Sequence, residues 1–95
     1  MIIPKRFKMG AVDFKVKMLN KVDAEDSLGL SDNDEAWIKL KRGLNRQRLE
    51  HTMCHELMHC LFWAAGRDDL GEDEQLVDVM GALLHQYLET QRGEQ

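Results

Sequence analysis

Over much of the first forty residues apolar and polar positions alternate. Val12, Phe14, Val16 and Met18 are separated by Asp13, Lys15 and Lys17, the period of two expected of a strand with one buried face. A shorter strand is expected around Arg6–Met9, turned by Gly10. The stretch "NKVDAEDSLGLSDNDE" is polar and turn-rich, and Leu28 and Leu30 within it suggest a short strand of their own. Asn33-Asp34 suits a hairpin turn. Ala36, Ile38 and Leu40 then alternate with Trp37, Lys39 and Lys41, which predicts another strand. From Asn45, a plausible N-cap, the period becomes helical. Leu57, Met58, Leu61 and Ala65, with Cys54, form an apolar stripe, and Gly66 suits the residue that closes the helix. The acidic connector "RDDLGEDE" leads to a second helix, whose Leu76, Val77, Met80, Leu83, Leu84, Tyr87 and Leu88 are expected to face the core. The tail "TQRGEQ" is expected to fray. The order predicts an α+β fold, with a small N-terminal antiparallel sheet of about three strands packed on two C-terminal helices.

Composition adds limits. With 95 residues, 43% hydrophobic and 32% charged, residues 1–95 read as one folded domain. No apolar run approaches the roughly 20 residues of a membrane span. The start "MIIPKRFKMG" has no long apolar stretch of a signal peptide, so a cytoplasmic location is expected. Cys54 and Cys60 lie six apart in one helix and point in different directions, so both are expected to be free thiols in the core. Residues 1–48 carry a formal +4 and residues 49–95 carry −8. The basic half reads as lysine-studded strands that resist aggregation, and such short basic runs do not predict a nucleic-acid partner.

Chemistry concentrates in "HTMCHELMHC" at 51–60, which holds three of the four histidines. His55 and His59, four apart on a helix, share a face and can converge on one ion. Glu56 projects beside that face, where it can take a proton from a water. This is the H-E-x-x-H arrangement, in which the histidines ligate zinc and the glutamate is the catalytic base. The bland alternative is a pair of surface histidines that bind nothing. A catalytic zinc site needs a third protein ligand. On the second helix Glu74, Asp78, Gly81 and His85 form a narrow stripe at about 100° per residue. Glu74 reads as the third ligand and Asp78 as an outer-shell carboxylate that orients a histidine. The glycine would let another backbone come close. His85 is the rival ligand, but it lies about 16 Å beyond Glu74 along the axis. His51, His85, Tyr87 or a connector side chain could contact substrate or a developing oxyanion.

"WIKLKRGLNRQRLEHTMCHELMHCL" at 37–61 resembles the strand–turn–helix of zincin metallopeptidases, closest to compact, phage-associated ImmA/IrrE-like forms. "EQLVD" at 74–78 resembles the Glu-x-x-x-Asp element of gluzincins. The likeness spans roughly residues 36–84 and lacks the Glu-x-x-Ala-Asn pattern of ImmA/IrrE-like proteins. It implies His55, His59 and Glu74 as ligands, Glu56 as general base and Asp78 as support for a histidine. It also implies that the strand at Ala36–Leu40 is the sheet edge on which a peptide lies antiparallel. The expected function is zinc-dependent hydrolysis of a peptide or protein substrate by an enzyme encoded by a phage or prophage. The alternative is a metal-containing, non-catalytic module that binds a host or phage protein.

Overall fold

The computed structural model describes residues 1–91; the remainder of the tail expected to fray lies outside them. Four strands precede three helices: β1 (Arg6–Met9), β2 (Val12–Leu19), β3 (Gly29–Asp32), β4 (Trp37–Lys41), α1 (Arg46–Ala64), α2 (Asp68–Gly71) and α3 (Glu74–Thr90). The class is α+β. Gly10 and Ala11 both have positive φ (60° and 64°), as a two-residue hairpin turn joining twisted strands requires. Asn33 lies in the turn that joins β3 to β4, and there Asp32 Oδ1 accepts from the Glu35 amide at 2.9 Å.

The sheet differs from the expected one in two ways. It has four strands, ordered β1-β2-β4-β3, and β2 pairs with β4 in parallel while the other two pairings are antiparallel. The chain leaves β2 through residues 20–28, forms β3 at the far edge and turns back, so β4 slots between β2 and β3. The strand at 36–40 is therefore interior, and β3 takes the edge that the family resemblance gave to it. Ile38 and Leu40 are fully buried as a result, because an inner strand loses both flanks to its neighbours.

One face of the sheet packs on α1. Phe14, Ile38, Leu40, Met53 and Cys60 form the main buried cluster. Burying a side chain such as Phe14 contributes about 1.5–3 kcal/mol. Asn45 caps α1, its side chain accepting from the Arg48 amide. The helix ends in a Schellman motif: Gly66, at φ 72°, donates to Trp63 O and Arg67 donates to Phe62 O,. Its buried surface is wider than the single stripe expected. Met53, Cys54, Met58, Cys60 and Phe62 are buried, whereas Leu61 is 40% exposed, because sheet and α3 cover different sides of the helix.

The face of α3 expected to turn inward does so in part: Val77, with Leu76 and Leu84, packs against Met58 and Phe62 of α1. Val77 and Gly81 are its buried residues, whereas Met80, Leu83 and Tyr87 are exposed. The physical reason is that α3 touches α1 and α2 but not the sheet. The stripe Glu74–Asp78–Gly81–His85 runs beside Leu76, Val77 and Leu84 along α1, with Gly81 buried in the seam. A Cβ built on Gly81 would lie 3.0 Å from both the N and Cα of His55, so glycine allows the two helix backbones to meet there.

Candidate metal centre

Two imidazoles on α1 and one carboxylate at the start of α3 converge. Asp73 caps α3 by accepting from the Leu76 amide at 3.1 Å, which sets Glu74 in the first turn, opposite the middle of α1. His55 Nε2 lies 3.3 Å from Glu74 Oε2, and His59 Nε2 lies 3.1 Å from Glu74 Oε1. One donor atom from each of the three residues falls within 4.8 Å of the others. Ligands held about 2.0–2.2 Å from a tetrahedral ion stand about 3.3–3.6 Å from one another, so small adjustments would seat such an ion. The donor set, two imidazoles and one carboxylate, suits zinc.

Asp78 lies one turn beyond Glu74 and its Oδ1 is 3.2 Å from His55 Nδ1. His55 thus meets a carboxylate at each ring nitrogen. Only an imidazolium can donate to both, whereas a cation at Nε2 leaves a neutral ring donating Nδ1–H to Asp78. The same Asp78 oxygen lies 3.3 Å from His51 Nε2. Bonding to His55, then to His51, lowers the Asp78 carboxyl below its ordinary range.

Glu56 points beside the cluster and is 7% exposed. Burial pushes its carboxyl up, against the Ser31 hydroxyl and the two histidines, which favour the charged form; Glu74 nearby pushes it up further. Its neighbours on β3 make this burial. Gly29 and Ser31 pair with Leu40 and Ile38 and so face the helix with them. A Cβ on Gly29 would come within 2.5 Å of Thr52 Cγ2 and 3.4 Å of Glu56 Cγ. A cavity of about 360 Å³ lies against β3 and is lined in part by Ser31, Asn33, His55, Glu56, His59 and Glu74.

The structure brings together His55, Glu56, His59, Glu74 and Asp78, and adds His51 beside them. It separates His85 from the cluster: His85 Nε2 is bonded to Glu50 Oε1 at 3.0 Å. Tyr87 is also separate, with its hydroxyl accepting from Gln91 at 2.6 Å on an exposed face. Ser31, Gly29 and Asn33 were not legible as site residues. The Asn33 Oδ1 is buried without a hydrogen-bond partner among the described residues, and its side chain lines the cavity beside His59. Pattern alone marks Asn33 as a turn residue, since only the β3–β4 register brings it to the helix. Cys54 and Cys60 are free and buried, with thiols pushed by burial up to about 11 and about 12. They take no part in the cluster.

Among the described residues no helix is long and apolar enough to cross a membrane. Comparison with protein-family models, with curated proteins and with solved structures finds no match, so the functional reading stands on the chemistry of these side chains.

Proposed function

We propose that the chain is a zinc-dependent metallopeptidase, in which His55, His59 and Glu74 hold the metal and Glu56 is the general base. The observation that carries this reading is the convergence of two imidazole nitrogens and the Glu74 carboxylate beside a separate, buried carboxylate that no ligand position needs. A purely structural zinc site has no use for Glu56, and keeping an acid 7% exposed is unfavourable unless something requires it. Bound zinc would supply a Lewis acid for the scissile carbonyl and lower the pKa of an attacking water towards about 7. Glu56, with its affinity for a proton raised by burial, accepts the proton of that water and delivers it to the leaving amine. Asp78 holds the His55 ring through Nδ1. His51, or the Asn33 amide at the other end of the cavity, is available to donate to the oxyanion. An extended peptide would add to the free edge of β3 through backbone hydrogen bonds. The buried free thiols suit a reducing compartment such as the cytoplasm.

The test is turnover of a peptide library by metal-replete protein, read by mass spectrometry beside elemental analysis. Cleavage by the native chain is expected, with at least about a 100-fold loss in Glu56→Gln at unchanged zinc content. Stoichiometric zinc without any cleavage would favour the non-catalytic binding module. No tightly held metal would leave a histidine-rich helix and remove the reading altogether.

A further inference from the structure

The groove continues past the metal cluster in both directions, and its two ends differ in charge. Beyond Gly29 a cavity of about 220 Å³ reaches His51 and Thr52. It opens into a larger one of about 480 Å³ at the start of α1, lined by Leu28, Gln47, Arg48, His51, Thr52 and His85. On the other side, a pocket beside Asn33, His59 and Trp63 is bordered by Asp68 and Glu72.

Arg48 has an exposed guanidinium with no ion pair among the described residues, whereas Arg46 is bonded to Glu50 and Arg67 to Asp69. The acids near Arg48 are already engaged. Glu50 binds Arg46, His85 and the Met1 amino group, Asp78 faces His51 and His55, and Glu89 lies 4.0 Å from the Met1 amino group. Arg48 and His55 are seven positions apart, which puts them on nearly the same helix face and about 10 Å apart along the axis. An extended chain covers that length in about three residues.

Direction follows from the fold. Gly29 lies over Thr52 and Glu56, and Asn33 lines the cavity at His59, so β3 runs in the same sense as α1. A peptide paired antiparallel to β3, the more stable pairing, runs from the His59 end towards Arg48. Its C-terminal side then meets the cationic end and its N-terminal side meets Asp68 and Glu72, which is complementary for a peptide oriented in that way.

We propose that the Arg48 pocket is a specificity site for a carboxylate lying two or three residues C-terminal to the cleaved bond. The carboxylate belongs either to an acidic side chain or to the end of the peptide, and the guanidinium receives it as a charge-assisted pair. This inference rests on the metallopeptidase reading for its register, so its test includes binding as well as cleavage. The probe is a fluorescent positional library of capped hexapeptides carrying Glu or Gln at each position, made with a free or an amidated C-terminus. Binding is measured by anisotropy on zinc-loaded Glu56→Gln, and cleavage on the native chain.

Peptides with Glu on the C-terminal side are expected to bind about tenfold tighter than their Gln counterparts, the order of one charge-assisted hydrogen bond in a wet groove. In the Arg48→Ala background the ratio falls to about one, and in Arg48→Glu it inverts. Arg6→Ala, on the opposite sheet edge, keeps the ratio. A Glu-over-Gln preference that survives amidation assigns the site to an acidic side chain, and a preference for the free over the amidated C-terminus, whichever residue is present, assigns it to the terminal carboxylate. Cleavage with no preference for Glu over Gln and none for a free over an amidated C-terminus, or a preference untouched in Arg48→Glu, overturns the pocket while the hydrolase stands. Arg48-dependent binding with no cleavage by the native chain overturns the hydrolase while the pocket stands.

Discussion

The seam between α1 and α3 holds two clusters of the same kinds of residue with opposite characters. Near one end Glu74 meets His55 and His59; near the other Glu50 meets His85, with Glu89 close by. Each set places three potential donor atoms within 4.8 Å of one another. Glu50, however, is 2% exposed and already receives Arg46 Nε at 2.8 Å, His85 Nε2 at 3.0 Å and the Met1 amino group at 3.3 Å. Burial pushes its carboxyl up, but those donors outweigh burial and hold it at about 2. Glu74 is 68% exposed and meets two histidines and no Lys or Arg among the described residues. Ligand type is therefore a poor discriminator between the two. A carboxylate whose charge is already neutralised by fixed cations is a structural tie, and one open to solvent that meets only imidazoles can take an ion.

This contrast can be broken at several points. The largest expected effect is in metal binding. Glu74→Ala should weaken zinc affinity by well over about 100-fold, the most that losing an outer-shell partner costs. His85→Ala should leave affinity intact, as competition with a chromogenic chelator would show. Equal losses in both variants would mean that the two clusters had been assigned wrongly.

Stability should respond in the opposite sense. Glu50→Ala strips a buried ionic tie and should lower the unfolding free energy by about 3 kcal/mol, whereas Glu74→Ala should stay within about 0.5 kcal/mol in urea titrations of metal-free protein. The pH dependence follows from the depressed Glu50 carboxyl. Its contribution is present above the ordinary glutamate value near 4.5 and is lost as pH falls towards about 2,. A shallower acid limb in Glu50→Gln would confirm that window, and an unchanged limb would assign acid unfolding to other carboxylates.

A smaller effect is expected at Asp78. Asn in its place keeps the shape but loses the charge that orients His55, so zinc affinity should fall about 10–100-fold with little change in the metal-free melting curve. The smallest change is Gly81→Ala, midway along the seam. A methyl group 3.0 Å from the His55 backbone must push the helices apart, against a helix-propensity gain of about 1 kcal/mol. A net destabilisation of about 1 kcal/mol is expected. If the melting temperature rose instead, the close approach at Gly81 would carry no packing constraint.

Much of this was legible beforehand, for local reasons. Alternation located β2 and β4, Gly10 marked the end of β1, the Leu28–Leu30 spacing suggested β3, and Asn45 and Gly66 closed α1 at the expected ends. The i,i+4 spacing of His55 and His59 is a property of any helix, and so is the alignment of Glu74, Asp78, Gly81 and His85. The apolar face of α3 was legible only in part, because periodicity reports that a helix has two faces but not how much of either a neighbour covers. Here Leu76, Val77 and Leu84 share the contact with α1 with the polar stripe, and Met80, Leu83 and Tyr87 face outward.

What the sequence determined alone is therefore the main strands, the two long helices, the caps of α1 and the H-E-x-x-H spacing, since each depends on dihedral preference and repeat length within a few residues; the short α2 falls in the stretch read as a connector. The tertiary structure decided the parallel β2–β4 pairing, the β3 edge, the partners of Glu50 and His85, and the arrival of Ser31, Asn33 and Arg48 along one groove. These depend on which distant segments meet, and that choice is made by the collective burial of Phe14, Ile38, Leu40 and Met53, a sum over the whole chain that no local window contains.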